Sequence, residues 1–167
     1  TGPDGRMWLL QRGGVQTPDG ALVGLGVPKP DGSLRALDEI PAAVITSFGE
    51  LLVADRDAKV IARFAPAGQH LGVYAQVDAT RMAISGVDDV AALDRDDRTV
   101  VLFDRHAALV KRLVPKGQGY TFGNPTDLAF DALGHLYVLD RGSGAVHVFG
   151  ARGAFLTTFA AAPRTPG

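Results

Sequence analysis

The sequence predicts an all-β protein built from repeated, four-stranded antiparallel sheets. The clearest evidence lies in residues 125–159, where runs of about five residues rich in strand formers alternate with turns of about four residues. HLYVL at residues 135–139 and AVHVF at residues 145–149 are examples. The composition agrees, because 21 Gly and 10 Pro in 167 residues suit many short strands and disfavour long helices.

Four runs in this segment predict four strands that are joined by tight turns into one meander. Apolar residues occupy odd and even positions of the runs alike, as in LYVL at residues 136–139. A strand with one wet face would alternate more regularly, so we expect the sheet to be covered on both faces. The predicted strands are residues 126–130, 135–139, 145–149 and 154–159.

The same pattern occurs three times along the chain. Asp55, Asp94 and Asp140 serve as anchors, and each is followed directly by arginine. A phenylalanine stands nine residues after each anchor, and an isoleucine or valine stands six residues after it. Agreement at so many positions without a gap indicates a true repeat of about 40 to 45 residues. These residues are Phe64, Phe103 and Phe149, and Ile61, Val100 and Val146.

A degraded fourth copy opens the chain. Residues 5–12 match the second strand of the repeat, with Gln11 in the anchor place, and this copy lacks a first strand. We expect a longer loop through GGVQTPDG, followed by strands at residues 21–27 and 33–37. The predicted repeats are residues 1–39 (incomplete), 40–78, 79–123 and 124–162.

Four-stranded repeats of this length are typical of β-propeller blades, and the pattern resembles the NHL-repeat family. The copy anchored at Asp94 departs from the family pattern at two positions, because Asp88 and Ala107 replace turn glycines. The resemblance implies a propeller fold but no particular activity, since propellers host many functions. It is carried by Pro125, Gly134, Leu136, Val138, Asp140, Arg141, Val146, Phe149, Gly153, Leu156 and Phe159.

The number of repeats predicts an incomplete arc of a larger propeller rather than a closed ring. Propellers typically have four to eight blades, and a closed ring normally shares one blade between the two chain ends. The residues after Phe159 read AAAPRTPG, whose two prolines make a poor strand. We expect further sequence or another subunit to complete the ring, with a self-closed four-bladed ring as the alternative.

Composition disfavours several partner classes. The net charge is −1 and no basic stripe is present, so binding of nucleic acid is not expected. The absence of cysteine excludes disulfides, thiolate metal sites and a cysteine nucleophile. No apolar run is long enough to predict membrane insertion.

Bacterial chains that resemble NHL proteins are often exported, so the resemblance favours a periplasmic or extracellular location.

The Asp-Arg pairs form the first candidate site. They follow the second strand of each blade, on the face where relatives with this resemblance usually bind ligands. One reading presents Asp55, Asp94, Asp140 and the arginines after them to a partner. In the other reading each aspartate accepts N–H groups of its own turn and each arginine pairs with a neighbouring blade. The arginines concerned are Arg56, Arg95 and Arg141.

Two groups of residues were considered as metal ligands, and both are weaker candidates. Asp94, Asp96 and Asp97 are close enough in sequence to hold calcium, although the spacing is not that of an EF-hand and Arg95 and Arg98 offset the charge. The four histidines fall at different repeat positions and would not converge on one axis, so they do not predict a metal site. They are His70, His106, His135 and His147.

The link at residues 114–124 is the longest insertion between clear repeats. It carries Tyr120 and Phe122 among glycines. These aromatic side chains either contact a partner at the mouth of the binding face or fill the groove between two blades. Trp8, in contrast, is expected in the core between blades.

The sequence therefore predicts a non-catalytic binding or scaffold module for a protein or peptide, without a cofactor. No catalytic constellation is visible. The alternative is a metal-dependent hydrolase or lyase, similar to lactonases or peptide-amidating lyases, whose remaining ligands lie in missing blades.

Overall fold

The computed structural model describes residues 8–37 and 39–160, and every regular element in this part of the chain is a β-strand. Neither described range contains a helix long and apolar enough to cross a membrane. The all-β prediction is confirmed. The predicted contributions of residues 5–7 to the first strand, and the segment after Ala160, lie outside the described residues.

Three complete blades are four-stranded antiparallel meanders in sequence order. Blade 2 contains β6 (Ala43–Ile45), β7 (Leu51–Asp55), β8 (Val60–Phe64) and β9 (His70–Ala75). Blade 3 contains β10 (Ala79–Ile84), β11 (Val90–Asp94), β12 (Thr99–Phe103) and β13 (Leu109–Leu113). Blade 4 contains β16 (Pro125–Phe130), β17 (Leu136–Asp140), β18 (Ala145–Phe149) and β19 (Phe155–Ala160). A short hairpin of β14 (Lys116–Gly117) and β15 (Tyr120–Thr121) precedes blade 4.

The blades stand side by side, with their first strands along one edge. Strand β10 contacts both β6 and β16, so these three strands line the inner edge of the arc. Every residue of β7, β11 and β12 is buried. The middle strands are therefore covered on both faces, which is the reason their apolar residues do not alternate.

Blade 1 differs from the sequence prediction. Its strands are β1 (Leu9–Gln11), β2 (Gly14–Gln16), β3 (Leu22–Gly24), β4 (Gly26–Pro28) and β5 (Leu34–Ala36). Strand β2 lies in the stretch GGVQTPDG that was expected to be a loop, and it pairs with both β1 and β3. The predicted strand at residues 21–27 is divided at Leu25, whose N–H donates to Gly13 and whose carbonyl accepts from Leu37. Blade 1 thus has four strand positions, with β3 and β4 as one interrupted strand.

Three apolar clusters join the blades in sequence order. One cluster lies between blades 1 and 2 and includes Leu25, Leu37 and Phe64, with Trp8 packed against it. A second lies between blades 2 and 3, and a third between blades 3 and 4. No extensive strand contact joins blade 1 to blade 4 within residues 8–37 and 39–160. These residues therefore form an arc.

Asp88 and Ala107, which replace turn glycines of the repeat, both adopt the left-handed backbone conformation. Their φ angles are 65° and 63°. Asp88 gains a compensating interaction, because its carboxylate accepts from the N–H (2.8 Å) and hydroxyl (2.6 Å) of Ser47 in blade 2. Ala107 only closes its own turn, through its N–H and the Asp104 carbonyl. The aspartate therefore links two blades, whereas the alanine is a strained substitute for glycine.

We expect Ala107→Gly to stabilise the chain by about 0.5–1 kcal/mol, because relief of left-handed strain exceeds the added entropy of the unfolded chain. Denaturant unfolding measures this change. Asp88→Gly is the matched control and should not stabilise, since it also removes the two bonds to Ser47. Equal stabilisation by both substitutions would show that the link between blades contributes nothing.

Candidate functional site

Asp140 is fully buried at the end of β17 and binds four donors. Its Oδ1 accepts from the N–H groups of Asn124 (2.6 Å) and Gly142 (2.9 Å). Its Oδ2 accepts from the N–H of Gly123 (2.6 Å) and the hydroxyl of Ser143 (2.8 Å). The carboxylate thus holds the end of the 114–124 link against the Asp-Arg loop of blade 4.

The ionised form of Asp140 is the stable one. Burial by itself would raise the pKa of this carboxyl, but the hydrogen bonds from Gly123, Asn124, Ser143 and Gly142 outweigh it and lower the pKa to about 2. His147 lies nearby, with its Nε2 3.6 Å from Oδ2 of Asp140. A carboxylate with both oxygens occupied in this way organises the loop and has little capacity left for a ligand.

Glycine is required where the two segments held by Asp140 meet. A Cβ on Gly142 would lie 2.5 Å from the backbone nitrogen of Asn124 and 2.6 Å from the carbonyl carbon of Gly123. Both neighbours are backbone atoms, so they cannot move aside cheaply. The sequence DRGSG therefore combines an acceptor, Asp140, with a residue that permits close approach.

Asp55 and Asp94 are also buried, but each has fewer partners. Asp55 accepts from the N–H of Ala58 (3.2 Å) and is paired with Arg35 of blade 1. Asp94 accepts from the N–H of Asp96 (3.2 Å) and from Arg112 (3.4 Å). All three anchor aspartates thus accept N–H groups of their own turns, and none presents an exposed carboxylate.

The arginines after the anchors are exposed. Arg56 is paired with Glu39, and Arg95 lies 3.1 Å from the buried carboxylate of Asp78. Arg141 has no ion pair within the described residues, and its backbone N–H donates to the carbonyl of Asn124. A partner could reach these three guanidinium groups, but contact with a partner stays a prediction.

The acidic cluster after β11 is occupied by basic side chains. Asp96 lies 2.7 Å from the Nζ of Lys59, and Asp97 lies 3.8 Å from Arg112. Among residues 8–37 and 39–160, no group of three or more His, Asp or Glu side chains has the geometry to hold a metal ion. Calcium at Asp94, Asp96 and Asp97 stays a prediction.

The histidines have separate surroundings. His147 is buried and its Nδ1 lies 2.9 Å from the Thr158 hydroxyl, whereas His135 pairs with Asp131 at 2.8 Å. His70 packs edge-on against Phe64, and His106 lies next to Arg105.

The two aromatic residues of the link have different environments. Phe122 is buried in the cluster between blades 3 and 4, with its ring 5.4 Å from His147 and 6.1 Å from Phe149. Tyr120 is half-buried, packs 4.8 Å from the rings of Phe122 and Phe149, and its pKa is raised by burial. Phe122 thus fills the groove between blades, and only Tyr120 reaches an open surface.

Tyr120 lines an open cleft of about 780 Å³ between the link and blades 3 and 4. Lys111, Arg112 and Lys116 supply positive charge to this cleft, and Phe155 closes one side of it. The cleft therefore has an aromatic wall and a basic rim, in which Arg112 is also paired with Asp94 and Asp97.

Sequence reasoning missed a row of apolar side chains at the end of the blades that lies opposite the Asp-Arg loops. Phe48, Val87 and Leu133 each occupy the third position of the turn between the first two strands of blades 2, 3 and 4. Their exposed fractions are 82%, 65% and 81%. We name these three residues the turn row. Each stands seven residues before its anchor aspartate, so the repeat alignment contained the signal.

One part of the chain matches a known family model. The family model for the NHL repeat matches residues 122–149, which include Phe122, Asp140 and Phe149. The sequence has no significant match among curated proteins.

Solved structures share the fold at low sequence identity. Virginiamycin B lyase from Staphylococcus aureus superposes with a TM-score of 0.69 and 14% identity, over 94% of this chain and 52% of the lyase. BamB from Moraxella catarrhalis gives 0.60 and 17%, over 89% of this chain and 44% of BamB. The calcium-binding protein regucalcin from Agrobacterium tumefaciens gives 0.50 and 17%, over 77% of this chain and 50% of regucalcin.

The chain spans about half the length of these structures. Identities this low establish a common fold and carry no activity from one protein to another. Residues 122–149 therefore match the NHL repeat, and the chain has the all-β fold of β-propellers, as an arc of four-stranded blades.

Proposed function

We propose that this chain is a non-catalytic module that binds protein partners across its blade turns. The observation that carries the proposal is the turn row, in which Phe48, Val87 and Leu133 repeat an exposed apolar side chain on three successive blades. A residue that recurs in a repeat usually serves packing, but side chains exposed to this extent contribute little to the core.

The turn row offers several contacts to one partner. Burial of each side chain on binding would contribute about 1.5–3 kcal/mol before the costs of association are subtracted. Contacts on successive blades also favour an extended partner over a small ligand. The partner proposed here is thus a protein segment with apolar side chains.

The Asp-Arg face offers a second, weaker surface. Most charges there are paired within the chain, as in the contact of Lys59 with Asp96 between blades 2 and 3. Exposed ion pairs of this kind contribute about 0–1 kcal/mol, and exchanging them for pairs with a partner yields little. Arg141 remains the residue of that face through which a partner would gain most, whereas Tyr120 packs against Phe149 and Phe155 at the other end of blade 4.

We expect the triple substitution Phe48→Ser, Val87→Ser and Leu133→Ser to abolish partner capture without unfolding the chain. The side chains are exposed, so each replacement should change the free energy of unfolding by about 0.5 kcal/mol or less. The measurement is affinity purification of the tagged chain from its native cells, with co-purified proteins quantified by mass spectrometry against the wild type.

The matched control is Arg56→Ala with Arg141→Ala, which alters the opposite face. Loss of the same partners in this control alone would place binding at the Asp-Arg loops. Unchanged capture by both variants would argue against a binding role for either face. Stoichiometric bound metal in the purified chain, together with a chelator-induced fall in melting temperature, would favour the metal-dependent enzyme instead.

A further inference from the structure

We propose that the open cleft beside Tyr120, here named the basic cleft, binds an extended, acidic segment of a partner protein. The cleft lies between the hairpin of β14 and β15, strand β13 of blade 3 and the start of β19 in blade 4. No residue of the turn row lines it. The two surfaces are therefore separate, and failure of this proposal would leave the proposed function untouched.

The charge of the basic cleft is the first reason to expect an acidic occupant. Lys111, Arg112 and Lys116 line it, and no carboxylate side chain does so within the described residues. Arg112 is partly neutralised by Asp94 and Asp97, at 3.4 and 3.8 Å. Lys111 and Lys116 are exposed and have no ion pair in the described part of the chain. Two unpaired cations that share one cleft are complementary to carboxylates.

The hairpin that forms one wall is longer than the connection between blades requires. Residues 76–78 alone join β9 to β10, whereas residues 114–124 lie between β13 and β16. Phe122 accounts for part of this insertion, because its ring fills the groove between blades 3 and 4. Residues 116–119 belong to none of the apolar clusters. Packing of the core therefore does not explain the tip of the hairpin.

Two glycines hold the hairpin in a defined shape. A Cβ on Gly117 would overlap the ring of Tyr120, and a Cβ on Gly119 would lie 2.6 Å from the ring of Phe155. Gly119 also has a φ of 87°, which favours glycine. The rings of Tyr120 and Phe155 pack 5.7 Å apart between their centroids. The basic cleft is thus formed before a partner arrives, which lowers the entropic cost of binding.

The course of the basic cleft favours an extended segment. Lys111 and Arg112 are consecutive residues of β13, so their side chains point to opposite faces of blade 3, yet both line the cleft. The cleft therefore follows the outer edge of β13, which pairs only with β12 among the described strands. An edge without a neighbouring strand can accept an extended segment of another chain. Nucleic acid fits less well, because three cations do not form a stripe for many phosphates.

Titration of the ¹⁵N-labelled chain with an octapeptide of alternating Glu and Val tests this inference, because amide spectra report both affinity and location. We expect the signals of Lys111, Lys116, Tyr120 and Phe155 to shift and to saturate. Added salt should weaken binding, since it screens exposed charges. An octapeptide of alternating Gln and Val should bind at least about fivefold more weakly, because it lacks the carboxylates. Equal binding of the two peptides, or no saturable shift in these signals, would overturn the proposal.

The double variant Lys111→Gln with Lys116→Gln removes the two unpaired cations. It should bind the acidic octapeptide about fivefold or more weakly than the wild type. Lys29→Gln with Arg81→Gln is the matched control, because it makes the same change in net charge at exposed residues outside the cleft. The control should bind as the wild type does. Equal weakening in both double variants would overturn the proposal, since net charge alone would then explain binding.

A single-stranded octathymidine tests nucleic acid as the occupant. It should bind more weakly than the acidic octapeptide, and its signals should not concentrate at the basic cleft. Tighter binding of the oligonucleotide than of the peptide, lost in Lys111→Gln with Lys116→Gln, would overturn the proposal in favour of nucleic acid.

Discussion

Asp140→Ala is expected to destabilise the chain by about 3–5 kcal/mol, more than substitution of either other anchor aspartate. The substitution removes the acceptor of the Gly123, Asn124 and Gly142 N–H groups and of the Ser143 hydroxyl. Each hydrogen bond to a charged carboxylate contributes about 1.5–3 kcal/mol, and part of this is recovered because the four donor residues are exposed and water can reach them. Denaturant unfolding monitored by circular dichroism measures the loss.

Asp94→Ala is the matched control. Asp94 occupies the equivalent position, but among the described residues it accepts from two donors, the Asp96 N–H at 3.2 Å and Arg112 at 3.4 Å. Its loss should cost about 1–2 kcal/mol, because fewer and longer hydrogen bonds are broken. Equal losses at Asp94 and Asp140 would mean that position in the repeat, rather than the set of donors, determines the effect.

The pH dependence gives an independent check on Asp140. Its folded pKa of about 2 is below the unfolded value of 3.8, so the folded chain holds the proton less tightly than the unfolded one. This contribution to stability is complete above the unfolded pKa and is lost as the pH falls from about 4 to about 2. Asp140→Ala should flatten the unfolding free energy across that interval relative to the wild type.

The repeat predicted from the sequence agrees with the structure in those strands and turns that local residue preferences determine. Strands such as β17 and β18 combine β-branched and aromatic residues with turns that contain glycine, and both features are local. Strand β2 was missed because Gly13, Gly14 and Pro18 indicate a loop. Tertiary packing explains Gly14, since a Cβ there would lie 2.3 Å from the carbonyl oxygen of Val23 in the paired strand β3.

The candidate site was less predictable, because exposure and partners are properties of the assembled blades. The anchor aspartates were visible from spacing, but the donors at Gly123 and Asn124 belong to the preceding link. The turn row was visible as a recurrence of apolar residues at Phe48, Val87 and Leu133. The exposure of these three side chains was visible only in the structure, because a sequence does not distinguish an exposed leucine from a core leucine.

The second large effect is expected at Phe122, where replacement with alanine should destabilise the chain by about 3–5 kcal/mol. The ring is buried among residues of blades 3 and 4, including Leu113, Leu128 and Phe149. Its N–H also donates to the Pro115 carbonyl, at 2.8 Å, so the residue fixes the link before Gly123. Thermal and denaturant unfolding measure the loss.

Tyr120→Ala is the control, and it separates the two readings of the link. Tyr120 is half-buried beside the basic cleft, so its removal should cost roughly half as much as removal of Phe122.

Since Phe122 precedes the two N–H groups that bind Asp140, a cavity at Phe122 should also weaken that contact. The double variant Phe122→Ala with Asp140→Ala should therefore lose less stability than the two single losses combined. Simple additivity would show that the link and the anchor act independently, and blade 4 would then depend on Asp140 only through its own turn.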